Sequence, residues 1–205
     1  ATPVRIYSDT LTVLLVDLVR VEQLEREYDV TIDWVPYELH PEIPPEGRDR
    51  DEVLPAAYRS QIEAGLARLS AQVGLELHHH KRLINSRPAL QAAEFARAAG
   101  LFEAMHRALF GAYWLDGLDI SDLGVLRAIG TRVGLDANAM EAAARANAFG
   151  DYLDARRAEA LDLMISGIPA HVIADRYLVM GAQPYPVFEQ VMAKVGASRR
   201  RAQES

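Results

Sequence analysis

The chain is 205 residues long, half of them hydrophobic and a quarter charged, which suits one compact domain or a domain carrying a large insertion. No apolar run approaches the roughly 20 residues of a membrane-spanning helix, and 22 basic against 29 acidic residues, a net charge of −7, argue against nucleic acid as a partner. Cysteine is absent, which excludes structural disulfides, thiolate metal sites, iron–sulfur clusters and cysteine nucleophiles from the chain.

Val4 to Tyr7 alternates apolar with polar or amphipathic residues and predicts a strand, stopped by Ser8 and Asp9, two good helix caps. Leu11, Leu14, Leu15, Leu18, Val21 and Leu24 recur at helical spacing and predict an amphipathic helix to about Tyr28. Thr31 to Leu39 reads as a second strand, with Pro36 inside it pointing to a sheet edge or a bulge. A crossover of this length makes the two strands parallel. The chain enters its first strand without the sections of a secretory signal, so the cytoplasm is the expected location.

Pro41, Pro44, Pro45 and Gly47 then break the pattern, and from about Asp51 to Met164 the chain reads as a set of helices. Ser86 before Arg87-Pro88 is read as the cap of one of them, Gly134 stops another and Asp136 caps the next. The run His78-His79-His80 lies in a connection and lacks any metal-ligand spacing, so it is read as a solvated loop and no metal is expected. His171 to Ile173 and Tyr177 to Met180 predict a tight hairpin, and Pro184 to Val195 a closing helix. Arg199 to Arg201, beside Gln203 and Glu204, reads as a solvated terminus.

The order β-α-β, a helical block, then α-β-β-α is that of an α/β thioredoxin-like fold, a four-stranded core sheet with an inserted helical domain. Its expected division is residues 1–42 and 149–198 for the sheet domain, 43–148 for the insertion and 199–205 for a polar tail. Within that order stand Ile6-Tyr7-Ser8-Asp9, Glu38-Leu39-His40-Pro41-Glu42, Asn85-Ser86-Arg87-Pro88-Ala89-Leu90, Ala93-Glu94-Phe95-Ala96, Leu109-Phe110-Gly111-Ala112-Tyr113, Gly167-Ile168-Pro169 and Gly181-Ala182-Gln183-Pro184. Carried on these segments, the chain resembles the DsbA-like oxidoreductases of the FrnE type from about residue 4 to residue 195.

The resemblance implies a Cys-x-x-Cys dithiol at the start of the first helix, and its two positions fall on Thr12 and Leu15. Neither side chain can form a mixed disulfide, because the attacking group in that exchange is a thiolate. The resemblance also implies a cis bond before Pro169, leaving the Ile168 backbone as an edge for an extended ligand. The expected function is therefore a non-redox binding protein for a peptide or small molecule, in the groove near the first helix's N-terminus and Pro169. Thr12, Ile168, Pro169, His171 and His40 are its candidate contacts, and no residue is assigned a catalytic role. Kappa-class glutathione transferases and 2-hydroxychromene-2-carboxylate isomerases carry a serine at the position of Thr12, so a glutathione-dependent enzyme is the alternative, with glutathione the one candidate cofactor. A structural or interaction subunit, such as half of a homodimer, is the third reading. Membrane and nucleic-acid partners are not expected.

Overall fold

The computed structural model describes residues 1–9, 14–74 and 76–200. In chain order the elements are β1 (Thr2–Ser8), α1 (Leu14–Glu27), β2 (Val30–Pro36), β3 (Arg48–Asp49), α2 (Arg50–Val53), α3 (Ala56–Val73), β4 (Arg82–Leu83), α4 (Arg87–Ala98) and α5 (Phe102–Phe110). A π-helical turn, Gly111–Leu115, continues α5; then come α6 (Leu123–Val133), α7 (Ala137–Arg145), α8 (Gly150–Asp162), β5 (Ala170–Ile173), β6 (Tyr177–Met180) and α9 (Tyr185–Lys194). Two compact units result, a sheet unit of Ala1–Tyr37 with Arg156–Ser205 and a helical unit of Glu38–Ala155.

In the sheet unit the strands run in the order β2-β1-β5-β6. β1 pairs parallel with β2 and antiparallel with β5, and β5 antiparallel with β6. The parallel pair is what the helical crossover α1 demands. Pro36 is the last residue of β2, the sheet's outer strand, where a missing N–H breaks no ladder on the free side. Ala174 and Asp175 both take positive φ, 52° and 53°, and the Arg176 amide donates to the Ile173 carbonyl at 3.1 Å. These are the dihedrals of a primed turn, whose twist matches that of the flanking strands.

Strand periodicity gives the sheet two unlike faces. Val4, Ile6, Ile173 and Val179 face Val21 and Leu24 of α1 and Phe188, Val191 and Met192 of α9, forming the unit's apolar core. Arg5 and Tyr7 point the other way, toward the last turns of α8.

Arg199 and Arg200 are exposed, as a solvated end implies, but the segment is also fastened to the sheet unit; Arg201 lies outside the described residues. The Asp29 amide donates to the Ser198 carbonyl and the Arg200 amide to the Glu27 carbonyl, so the segment adds an extended bridge beside Tyr28. Arg199 donates to the Tyr28 hydroxyl at 3.0 Å and pairs with Glu189, while Arg200 Nε donates to the Tyr28 carbonyl. Unsatisfied backbone groups at the α1–β2 corner decide this, and charge composition does not reveal them.

In the helical unit, Asp122 and Asp136 cap α6 and α7 by accepting from amides in their first turns. Ser86 departs from its expected role: it adopts helical dihedrals and makes no side-chain cap, and Asn85 Oδ1 accepts from the Arg87 amide at 2.9 Å. The short β3–β4 ribbon was not foreseen. It needs glycine at residue 47, where φ is +70° and a Cβ would stand 2.7 Å from the Leu83 carbonyl oxygen.

Candidate functional site

In the sheet unit the site must be built around the carboxyl end of β1 and the start of β5. Ser8 and Asp9, which lead toward residues 10–13, are both buried, and the Ser8 hydroxyl donates to the Asp9 carbonyl at 3.2 Å. The Tyr37 amide donates to the Ser8 carbonyl at 2.9 Å, tying the ends of β1 and β2 together. β1 and β5 are in register with Tyr7 opposite Ala170, which brings Pro169 level with Ser8.

The Ile168–Pro169 peptide is cis, Pro169 is buried and its carbonyl accepts from the Gly181 amide at 2.7 Å. Ile168 is half-buried. Among the described residues, no hydrogen bond engages its backbone N–H or C=O.

The other candidates fall in different surroundings. Thr12 lies outside the described residues; Leu15 lies in α1, with its side chain outside them. His171 is fully buried, opposite Ile6 on the core side of the sheet, with its ring edge on Phe188 at 4.8 Å between centroids. Its Nδ1 is 3.4 Å from the Val179 carbonyl oxygen. His171 is thus enclosed by the α9 side of the core rather than turned to an open rim. His40 belongs to the helical unit, where Nδ1 meets Glu42 Oε1 at 2.9 Å.

Two charged clusters went unrecognised in the sequence. In the sheet unit, Arg5 donates to Glu159 at 2.5 Å, to the Tyr7 hydroxyl at 3.2 Å and to Asp175 at 2.8 Å. The Tyr7 hydroxyl donates to Glu159 at 3.1 Å, and Arg156 pairs with the other Glu159 oxygen at 2.8 Å. Burial is the main cause that pushes the Tyr7 phenol up to about 12; Arg5 opposes it and Glu159 adds to it. A phenol so held keeps its proton and serves as a fastening for the sheet's polar face.

In the helical unit, Arg87 is the hub. It donates to Glu38 at 2.7 Å, to Asp154 at 2.9 Å, to Asn147 Oδ1 at 3.1 Å and to the Gly150 carbonyl at 3.3 Å. Glu38 is 3% exposed, so a buried carboxylate meets a half-buried cation. Asn85 Nδ2 donates to the Ile43 carbonyl at 2.7 Å, and Gln91 bridges Asn147 and the Phe149 amide. Glu38, Asn85 and Arg87 stand in two of the segments that carried the resemblance. Their spacing in sequence offered no sign that they meet.

The histidine run is also more ordered than a solvated loop. His80 stacks on the Tyr113 ring at 3.7 Å, donates from Nε2 to the Tyr113 carbonyl at 2.7 Å, and burial holds its pKa below the usual histidine value. The His78 amide donates to the Trp114 carbonyl at 2.6 Å. The π-helical turn leaves those two carbonyls outside the regular ladder, and the histidine segment satisfies them. Among the described residues no group of three or more histidine, aspartate or glutamate side chains could hold a metal ion, and no helix is long and apolar enough to cross a membrane.

Comparison with known proteins places this geometry. The DSBA-like thioredoxin domain matches residues 17–193. The uncharacterized protein YwbO of Bacillus subtilis is 21% identical over 196 residues, 93% of this chain and 95% of that protein. The crystal structure of a probable DsbA oxidoreductase from Streptomyces coelicolor is similar with a TM-score of 0.83 at 25% identity, over 100% of this chain and 94% of that one. A 2-hydroxychromene-2-carboxylate isomerase structure is similar with a TM-score of 0.75 at 21% identity, over 95% of this chain and 96% of that one.

Proposed function

The chain belongs to the DSBA-like thioredoxin domain family, and from that premise we propose that it is a non-redox binding protein of the family, taking an extended peptide or a peptide-like small molecule along the backbone of Ile168. Thiol–disulfide exchange needs a thiolate, and the 205 residues hold no cysteine, so the dithiol chemistry has no group to run on within this chain.

The observation that supports binding is the Ile168 backbone. It is half-buried, stands at the head of the buried strand β5 and has no hydrogen-bond partner among the described residues. An unpaired amide and carbonyl at a strand's entrance are what an extended ligand recognises by main-chain pairing, irrespective of its side chains.

Amide hydrogen exchange with and without an unfolded model peptide tests this. Protection gained at Ile168 and its neighbours on peptide addition is the expected result. Peptide binding that leaves residues 165–170 unprotected would overturn the assignment, and acceleration of insulin reduction by dithiothreitol would overturn its non-redox character.

A second reading is a glutathione-dependent isomerase or transferase using Thr12. It is supported by the similarity in fold to the 2-hydroxychromene-2-carboxylate isomerase. Calorimetric titration with glutathione separates the two: heat of binding that disappears in Thr12→Val favours the enzyme, and no heat removes it.

A further inference from the structure

The chain's sulfur resides in five methionines. Met105, Met140 and Met192 are at most 1% exposed and Met180 is half-buried, whereas Met164 is 83% exposed. Its position makes that exposure unusual. At the end of α8 the Ile165 amide donates to the Ala160 carbonyl at 2.9 Å, five residues back, and the Met164 amide to the Leu161 carbonyl at 2.9 Å. Ala160 and Ile165 are both fully buried, the apolar contact that accompanies such a helix closure.

The residue between them must take a left-handed conformation, and Met164 does so with φ 60°. Glycine is the usual occupant of that place, because a Cβ is crowded there. Met164 therefore adopts a disfavoured backbone and buries almost nothing in return. Neither helix closure nor core packing explains a long thioether at this point, and an observed conformational outlier of this kind points to a role for the side chain itself.

We propose that Met164 is a site of reversible sulfoxidation. The thioether sulfur attacks one oxygen of hydrogen peroxide; the S–O bond forms, the O–O bond breaks, and the peroxide leaves as water after proton transfer. Sulfur is oxidised by two electrons to the sulfoxide and the peroxide is reduced by two. Burial shields Met105, Met140 and Met192 from the same attack, and Met180 in part. The product puts a polar S=O beside Leu161 and Leu163, which are 48% and 36% exposed, so an apolar stretch of surface becomes polar while the fold beneath it is untouched. A methionine sulfoxide reductase with a thiol reductant reverses the step.

The test is a peroxide time course on the intact chain, read by mass spectrometry with peptide mapping. The expected result is one oxygen gained at Met164, with a rate at least roughly tenfold above that at Met105, Met140 and Met192 and above that at Met180 as well. The circular dichroism spectrum stays unchanged, and the reductase removes the oxygen from the folded protein. Met164→Leu abolishes the fast phase and Met180→Leu keeps it. Oxidation that begins at another methionine, that proceeds at equal rates across several, or that the reductase fails to reverse on the folded chain would overturn the proposal.

Discussion

The sheet unit and the helical unit each set a half-buried arginine among carboxylates, and the two differ in what remains when the arginine is taken away. Around Arg5, Glu159 and Asp175 are 28% and 62% exposed, and Glu159 keeps Arg156 as a second partner. Around Arg87, Glu38 is 3% exposed and the cation also serves Asn147, Asp154 and the Gly150 carbonyl. The same residue type is thus a fastening on a half-solvated face in one unit and the counter-charge of an enclosed carboxylate in the other. Desolvation rather than the number of bonds sets the difference, since a buried charge without its partner costs far more than an exposed one.

The largest effect expected from that contrast is on Arg87. Arg87→Met should lower stability by about 3–5 kcal/mol in chemical denaturation, the range for breaking a buried pair from one side. Changing Glu38 to Gln in the same background should recover part of the loss by removing the charge of an enclosed carboxylate that has lost its Arg87 pair. No recovery would mean that Glu38 is not the reason Arg87 matters.

Acid should weaken the helical unit next. His106 on α5 is buried, and burial first, then Arg97 and Arg107, push its pKa down to about 4. His80 is lowered in the same direction, chiefly by burial. In the unfolded chain these imidazoles take up a proton near 6.5, before the folded chain does, so their contribution is complete above that pH and is lost as pH falls toward the folded value. For His106 the loss between pH 6.5 and pH 4 is on the order of 3 kcal/mol. His106→Leu should flatten that limb of a stability–pH curve, and an unchanged slope would contradict the assignment.

Arg5→Met should cost about 1–2 kcal/mol, because Arg156 still neutralises Glu159 and solvent reaches Asp175. A loss as large as that of Arg87→Met would break the comparison between the units. The smallest effect is a gain: Met164→Gly relieves the left-handed backbone at the end of α8 and should raise stability by about 0.5–1 kcal/mol, measurable by thermal unfolding.

The regular elements were legible because they follow from local periodicity. The alternation of Val4 and Ile6 marked β1, the three- and four-residue steps of Val21 and Leu24 marked α1, and Asp136 marked the start of α7. The π-helical turn was read as ordinary helix, since its five-residue bonding leaves no signature in the apolar spacing of Met105, Leu109 and Tyr113. Asn85 took the capping role expected of Ser86, a choice set by how the chain enters α4. Arg5 and Tyr7 passed as the polar side of a strand because their counter-charge, Glu159, lies more than 150 residues away.

By itself the sequence determined that the chain is α/β and DsbA-like and that it has no dithiol: these rest on local patterns and on which atoms are present. Only the tertiary structure decided which polar residues meet. It set His171 in the core, drew Glu38, Asn147 and Asp154 onto Arg87, and turned Met164 outward in a glycine's conformation. The physical reason is that pairing and burial join residues far apart in the chain, and desolvation, which gives those meetings their energy, exists only once the chain has closed around them.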